Sequence, residues 1–161
     1  MDLTAARNLA IQLMSKHNLI QAGWRFEFDR AKTRFGRCSY ARQVISMSAP
    51  CVVLNEETEM RDTILHEIAH ALVGCSHGHN HTWQMKAVSI GARPEACSDK
   101  TTPEARYTGH CVSCGVEVKR HKLTRVVRKT CYHIICRKHG KDARIEWSVG
   151  PTPIPFKVVE R

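Results

Sequence analysis

The sequence lacks any apolar run that approaches the roughly 18 residues needed to cross a membrane. Its first segment, MDLTAARNLAIQLMSKHNLI, also lacks the uninterrupted apolar stretch and the small-residue cleavage site of a secretory signal. It contains no internal repeat and no low-complexity block. We therefore expect a monomer that is not secreted, does not contact a membrane, and works in the cytoplasm or at the nucleoid.

Disulfides are not expected, although the chain has eight cysteines. Without an export signal the thiols stay reduced, and paired cysteines in such proteins more often hold a metal ion. Four cysteines stand singly and are expected to be small buried hydrophobes: Cys38, Cys51, Cys75 and Cys97. The other four crowd into one segment and are candidate metal ligands: Cys111, Cys114, Cys131 and Cys136.

Acidic residues are scarce in the last third of the chain. Residues 1–104 carry 12 Lys and Arg against 11 Asp and Glu, whereas residues 105–161 carry 13 against 4. The net charge of +10 therefore belongs almost entirely to the C-terminal third. Because a concentrated positive field attracts polyanions, we expect contact with DNA or nucleoprotein. The alternative is that Lys and Arg only solvate a small module.

Hydrophobic periodicity predicts an α+β core. Apolar residues at helical spacing predict a first helix over residues 3–14, with Asp2 or Thr4 as its cap. Period-two alternation predicts a strand at 24–29 and another at 44–47, which Pro50 interrupts. These strands would form a small antiparallel sheet.

Helical patterns return after the strands. They predict one helix from Glu56 to Gly74 and a second over residues 82–90. The polar connection SDKTTPEA then marks a domain boundary. We expect a core at 1–104, a module of short strands around metal knuckles at 105–148, and an extended tail at 149–161.

The strongest motif is H-E-x-x-H, formed by His66, Glu67 and His70. On a helix, residues four apart lie on one face, so two imidazoles can bind one zinc ion while Glu67 lies beside the open coordination position. Zinc lowers the pKa of bound water toward about 7, and the carboxylate can take its proton. The surrounding residues are strongly apolar, and burying such a trio is costly unless it is paired or bound to metal.

A catalytic zinc usually has a third protein ligand. The longer H-E-x-x-H-x-x-G-x-x-H pattern does not fit, because Gly74 and His77 each lie one residue too far along the chain. Glu95 is also disfavoured, since it follows Gly91 and Pro94 in the polar connection.

Three later histidines remain as candidates for the third ligand: His77, His79 and His81. His79 lies immediately before the second predicted helix and four residues ahead of Trp83, a large residue expected to anchor that helix to the core. Spacing alone does not separate His79 from its two neighbours, which are otherwise expected to be exposed or to support the ligands.

With these motifs, the segment RCSYARQVISMSAPCVVLNEETEMRDTILHEIAHALVG, followed by HNHTW and a cysteine-paired module, resembles the SprT-like (Spartan-type) zinc metalloproteases. The resemblance implies a zincin-like fold with His66, His70 and His79 as ligands and Glu67 as catalytic base. It also implies a C-terminal zinc ribbon. One departure is Asn80, which stands where the family usually has glycine. Relatives of Spartan cleave proteins crosslinked to DNA, so the resemblance implies DNA-associated protein substrates.

The cysteine-paired module begins with GHCVSCG and continues with CYHIICRKHG. In the usual ribbon a second C-x-x-C-G follows the first, and here C-x-x-H-G has that spacing, which a Cys3His zinc site allows. The predicted ligands of this structural zinc are Cys111, Cys114, Cys136 and His139. The competing candidates are Cys131 and His133.

A basic segment, VEVKRHKLTRVVRK, lies between the two halves of this module and resembles the basic hairpin of zinc ribbons. Cations on its exposed side can track phosphates. Because no aromatics are interleaved for base stacking, we expect backbone contact with little sequence preference. The candidate nucleic-acid contacts are Lys119, Arg120, Lys122, Arg125, Arg128 and Lys129.

The sequence thus predicts a metallopeptidase with one catalytic and one structural zinc. Tyr40 and His81 are weak candidates for stabilising the oxyanion. Two other functions stay open: a non-catalytic nucleic-acid-binding module in which both zincs are structural, and a regulatory protease that cuts a specific repressor.

Overall fold

A computed structural model describes residues 1–95 and 100–150 of the chain. The chain divides into two compact units, with the boundary between Pro103 and Glu104. The fold is a mixture of helices and small sheets, as expected from the sequence. Among the described residues, every helix is too short or too polar to span a bilayer. Most of the expected C-terminal tail, from residue 151 onward, lies outside the described residues.

The helices of the first unit are α1 (Leu3–Lys16), α2 (Ala49–Leu54), α3 (Glu57–Val73) and α4 (His81–Ile90). Asp2 caps α1, since its carboxylate accepts the Ala5 N–H at 2.9 Å. Helix α2 corrects the prediction at Pro50, which lies in the first turn of a helix instead of interrupting a strand. The reason is that proline needs no N–H partner there, and the Ser48 hydroxyl caps the helix by accepting the Cys51 N–H.

The sheet of the first unit is mixed, not antiparallel as predicted. Its strands are β1 (Arg25–Asp29), β2 (Gly36–Ser39) and β3 (Val44–Ser48), in the order β1-β3-β2. Strand β3 is central and buried along its length, parallel to β1 and antiparallel to β2. The chain reverses direction between β1 and β2 and again at the turn before β3, so β1 and β3 run the same way.

Helix α3 is the centre of the first unit. Met60, Ile64 and Ile68 recur at four-residue spacing on one face and are fully buried. The helix contacts α1, α4, β2 and β3. It therefore holds its catalytic-type motif within the core, as the apolar context predicted.

The isolated cysteines are only partly as expected. Cys51 is buried and Cys38 is half-buried. Cys75 is exposed, contrary to expectation, because it follows the end of α3 in a loop. Cys97 lies outside the described residues.

The second unit contains a three-stranded antiparallel sheet in the order β5-β4-β6. Its elements are β4 (Tyr107–Cys111), β5 (Glu117–Arg120), α5 (Arg125–Thr130), α6 (Ile134–Lys138) and β6 (Ile145–Val149). The two short helices were not predicted, since the basic segment resembled a hairpin. Helix α5 forms where the Thr124 hydroxyl accepts the Val127 N–H at 3.2 Å.

Candidate metal centres

The last turns of α3 carry His66, Glu67 and His70. The helix ends at Gly74, where φ is 90° and the N–H donates to the His70 carbonyl at 3.0 Å. A positive φ suits glycine, which turns the chain away from the helix axis. The two imidazoles therefore lie one turn apart near the end of a buried helix. The chain that follows Gly74 can fold back toward them.

His79 comes back to this pair from the loop before α4. The side-chain carbonyl oxygen of Asn80 accepts the Trp83 N–H at 3.2 Å and caps α4. His79 is therefore the residue immediately before the helix cap. Asparagine is a good residue at this cap, which gives the departure from the family's glycine a physical role.

The three imidazoles meet at their Nε2 atoms. His66 and His70 are 3.2 Å apart at these atoms, His70 and His79 are 3.1 Å apart, and His79 and His66 are 3.0 Å apart. Nitrogens that bind a tetrahedral zinc at about 2.0–2.1 Å are separated by about 3.3 Å. The donor set therefore fits a zinc ion.

Trp83 packs beneath all three imidazoles. Its side chain is fully buried, and its ring centroid lies 4.6 Å from His66, 5.2 Å from His70 and 4.6 Å from His79. The ring stacks on His70 at 28° and meets His79 edge-on at 90°. This tryptophan, predicted only to anchor α4, restricts the orientation of every candidate ligand.

The surroundings keep the imidazoles of His66 and His70 neutral. Burial, together with the neighbouring His70 and His79, lowers the pKa of His66 to about 4. Burial and His79 likewise lower the pKa of His70 to about 4. Neutral imidazole is the form that binds metal, so these groups are in the ligand form at pH 7.

Glu67 is buried beside the same site, with a relative exposure of 7%. Burial raises the pKa of its carboxyl group to about 7, although the Cys38 backbone N–H, Arg34 and Lys100 act to lower it. The carboxylate borders a cavity of about 610 Å³. The other lining residues include Thr33, Phe35, Gly36, Thr63, His66 and His70.

Several other candidates lie outside this three-histidine cluster. His81 and Glu95 are exposed and His77 is half-buried, and none of the three is among the converging ligand atoms of the described residues. The Tyr40 hydroxyl lines the cavity but donates to the His70 carbonyl at 2.8 Å. Lys100 also lines the cavity. It was not predicted from the sequence, because a lysine in a polar connection gives no indication that it lies at a site.

A second cluster lies in the second unit. It contains Cys111, Cys114, His133 and Cys136, whose ligand atoms all lie within 4.8 Å of one another. His133 Nδ1 is 3.3 Å from the Cys114 Sγ and 3.2 Å from the Cys136 Sγ. Three thiols and one imidazole are a common donor set for structural zinc.

This cluster differs from the predicted set at one position, because His133 replaces His139. The His133 N–H donates to the Ala143 carbonyl at 2.9 Å, which ties the residue to the chain leading into β6. His133 also immediately precedes α6, so its side chain meets Cys136 one turn later. His139 follows the end of α6 and is exposed. Cys131, the other competitor, is half-buried but is not in the cluster.

The thiol groups of this cluster influence one another. Burial acts to raise the pKa of Cys111, but the backbone N–H groups of Ser113 and Cys114, together with hydrogen bonds to the thiols of Cys114 and Cys136, lower it below its ordinary value. The pKa of Cys136 is raised to about 11, first by its hydrogen bond with Cys114. Crowded thiolates oppose each other's ionisation, and a cation would relieve that repulsion.

The six predicted basic contacts are all exposed. Lys119 and Arg120 lie on β5, whereas Arg125, Arg128 and Lys129 lie on α5. Lys119 pairs with Glu117 at 3.2 Å, an exposed pair that weakens its attraction for phosphate only slightly. Positive charge is thus spread over a strand, a loop and a helix of the second unit.

A helix with two ligand-type histidines and a buried glutamate, completed by a histidine from the next loop, defines a metallopeptidase-like centre. The model of the SprT-like family matches residues 5–104. The chain therefore belongs to the SprT-like family, which is associated with metalloprotease-like domains. No curated protein matches the chain significantly.

We predict that His79→Ala removes the metal from the first unit. Bound zinc should fall from about two ions per chain to about one, because two imidazoles hold zinc far less tightly than three. Metal analysis of the purified protein measures this. His77→Ala is the matched control from the same loop and should retain both ions; a loss with His77→Ala alone would contradict the assignment.

We predict that His133→Ala, but not His139→Ala, loses the metal of the second unit. Among the histidines of the described residues, only His133 joins the three cysteines, so its removal leaves an incomplete donor set. Zinc release followed with a chromogenic chelator distinguishes the two variants. Faster zinc release from His139→Ala than from His133→Ala would contradict this assignment and support His139 as the fourth ligand.

Proposed function

We propose that the protein is a zinc-dependent metallopeptidase that acts on DNA-associated or DNA-crosslinked proteins. The observation that carries the proposal is the buried Glu67 carboxylate, which borders the cavity beside the three converging imidazoles. Membership of the SprT-like family supports the same chemistry. His66, His70 and His79 would hold the zinc ion.

When bound, zinc would supply Lewis acidity, which polarises a carbonyl oxygen and lowers the pKa of water. Glu67 provides the proton transfer. Because burial raises the pKa of its carboxyl group to about 7, Glu67 can accept a proton from the attacking water at neutral pH and pass it to the departing amide nitrogen. The cavity wall shields this carboxylate from bulk solvent.

Strand β2 offers a place for the substrate backbone. It lines the cavity through Gly36 and Cys38, and within residues 1–95 and 100–150 it pairs only with β3. Its outer edge therefore presents backbone groups to an extended peptide. An extended, locally unfolded segment is the substrate form that this edge fits.

DNA contact is proposed for the second unit. Its exposed cations lie on β5, α5 and the loop between them, and a metal bound by the candidate ligands would hold the adjoining chain together. Such a surface binds phosphates with little regard to sequence. It would bring the peptidase to proteins on DNA without restricting which protein is cut.

We predict that Glu67→Gln lowers kcat/KM for a denatured test protein by at least about 100-fold, because a general base contributes about 10²–10⁴. Zinc content should not change. Glu57→Gln, an exposed substitution on the same helix, is the control and should retain full activity. Unchanged cleavage by Glu67→Gln would exclude the peptidase and favour a non-catalytic binding module.

We predict that the double charge reversal Arg125→Glu and Arg128→Glu weakens DNA binding. The slope of log K against log salt should become shallower by about two, as two phosphate contacts are lost. Fluorescence anisotropy over a salt series measures the slope. Charge reversal at Arg25 and Arg30, exposed cations of the first unit, should leave it unchanged. An affinity insensitive to salt in the unaltered protein would contradict the proposed surface.

A further inference from the structure

The segment from Gly36 to Tyr40 makes three separate contacts with α3. Gly36 and Cys38 lie at alternate positions of β2, where alternate side chains point to the same side, and Tyr40 follows directly after the strand. Each contact reaches the part of α3 that carries the catalytic-type motif.

The first contact is a close approach between Gly36 and Glu67. A Cβ atom on Gly36 would lie 2.7 Å from the Glu67 Oε1 and 2.8 Å from its Cγ. Real Cβ atoms essentially never come so close, so any other residue would displace the carboxylate or the strand. The glutamate side chain occupies the space that the missing Cβ leaves.

The second contact is between the Cys38 backbone N–H and the same carboxylate. The N–H lies near enough to act on Glu67, since it lowers the pKa of that carboxyl group. Because Glu67 is only 7% exposed, water has little access to satisfy its oxygens. A backbone donor on a paired strand favours one carboxylate direction without a flexible side chain.

The third contact holds the end of the helix. The Tyr40 hydroxyl donates to the His70 carbonyl at 2.8 Å, and the Gly74 N–H donates to the same oxygen at 3.0 Å. The Tyr40 ring meets Trp24 edge-on with centroids 6.1 Å apart. The phenol is thus anchored in the core and links the last turn of α3 to the sheet.

We propose that the Gly36–Tyr40 segment is a positioning element that sets the Glu67 carboxylate and the His70 turn relative to the cavity. The proposal rests on the proposed function, since it assigns these residues to the placement of the catalytic base. Gly36 acts through the space it leaves, Cys38 through its backbone, and Tyr40 through its hydroxyl. None of them needs to touch the substrate in this role.

The test compares Gly36→Ala and Tyr40→Phe with Glu57→Gln, the exposed control substitution on α3. Gly36→Ala should lower kcat by about 100-fold, because a displacement of about 1 Å costs that much. KM and zinc content should stay within about twofold. Tyr40→Phe keeps the ring and should lower kcat by about tenfold or less, with the same unchanged KM. Glu57→Gln should have wild-type values.

A thermal-stability cycle tests the contact independently of activity. Gly36→Ala should lower Tm in the wild-type background but much less in a Glu67→Ala background, where no carboxylate meets the new methyl group. Equal losses of Tm in both backgrounds, or a wild-type kcat in Gly36→Ala, would overturn the proposal. Activity retained by Glu67→Gln would overturn the proposed function instead, and the stability cycle would still report on the contact.

Discussion

The convergence of three imidazole nitrogens is the constraint on which the first unit depends. Without a cation, such closely placed nitrogens compete for shared protons, so the fold must hold them together by other means. Helix α3 supplies two from its half-buried side, and Trp83 packs against all three rings. The Asn80 cap starts α4 immediately after His79. The protein scaffold thus prepares the site before metal binds.

The second unit has a different relation to its metal cluster. Its buried apolar set is small, and two of its four members are the candidate ligands Cys111 and Cys136, beside Ala143 and Ile145. So small a core stabilises a module only weakly, and a structural metal commonly compensates. In the first unit the core supports the candidate metal ligands, whereas in the second the candidate ligands form much of the core.

Sequence reasoning recovered what depends on local spacing. The helical period and the H-E-x-x-H motif located α3 and its His-Glu-His trio, since i and i+4 neighbours follow from helix geometry alone. The mixed strand order was missed, because pairing between β1 and β3 joins distant segments. His139 was favoured over His133 by its C-x-x-H spacing. The short helix α6, which brings His133 to Cys136, leaves no strong periodic signal in five residues.

The cations around the catalytic-type carboxylate show how its pKa stays near neutrality. Arg34 and Lys100 both act to lower the pKa of Glu67, yet burial outweighs them and the value is about 7. Each cation has its own carboxylate: Arg34 pairs with Asp29 at 2.6 Å, and Lys100 with Asp62 at 3.3 Å. These pairs weaken the positive field at Glu67. Had either cation instead paired with Glu67, its carboxyl group would be a much weaker base, so the surrounding ion pairs preserve the basicity that proton transfer requires.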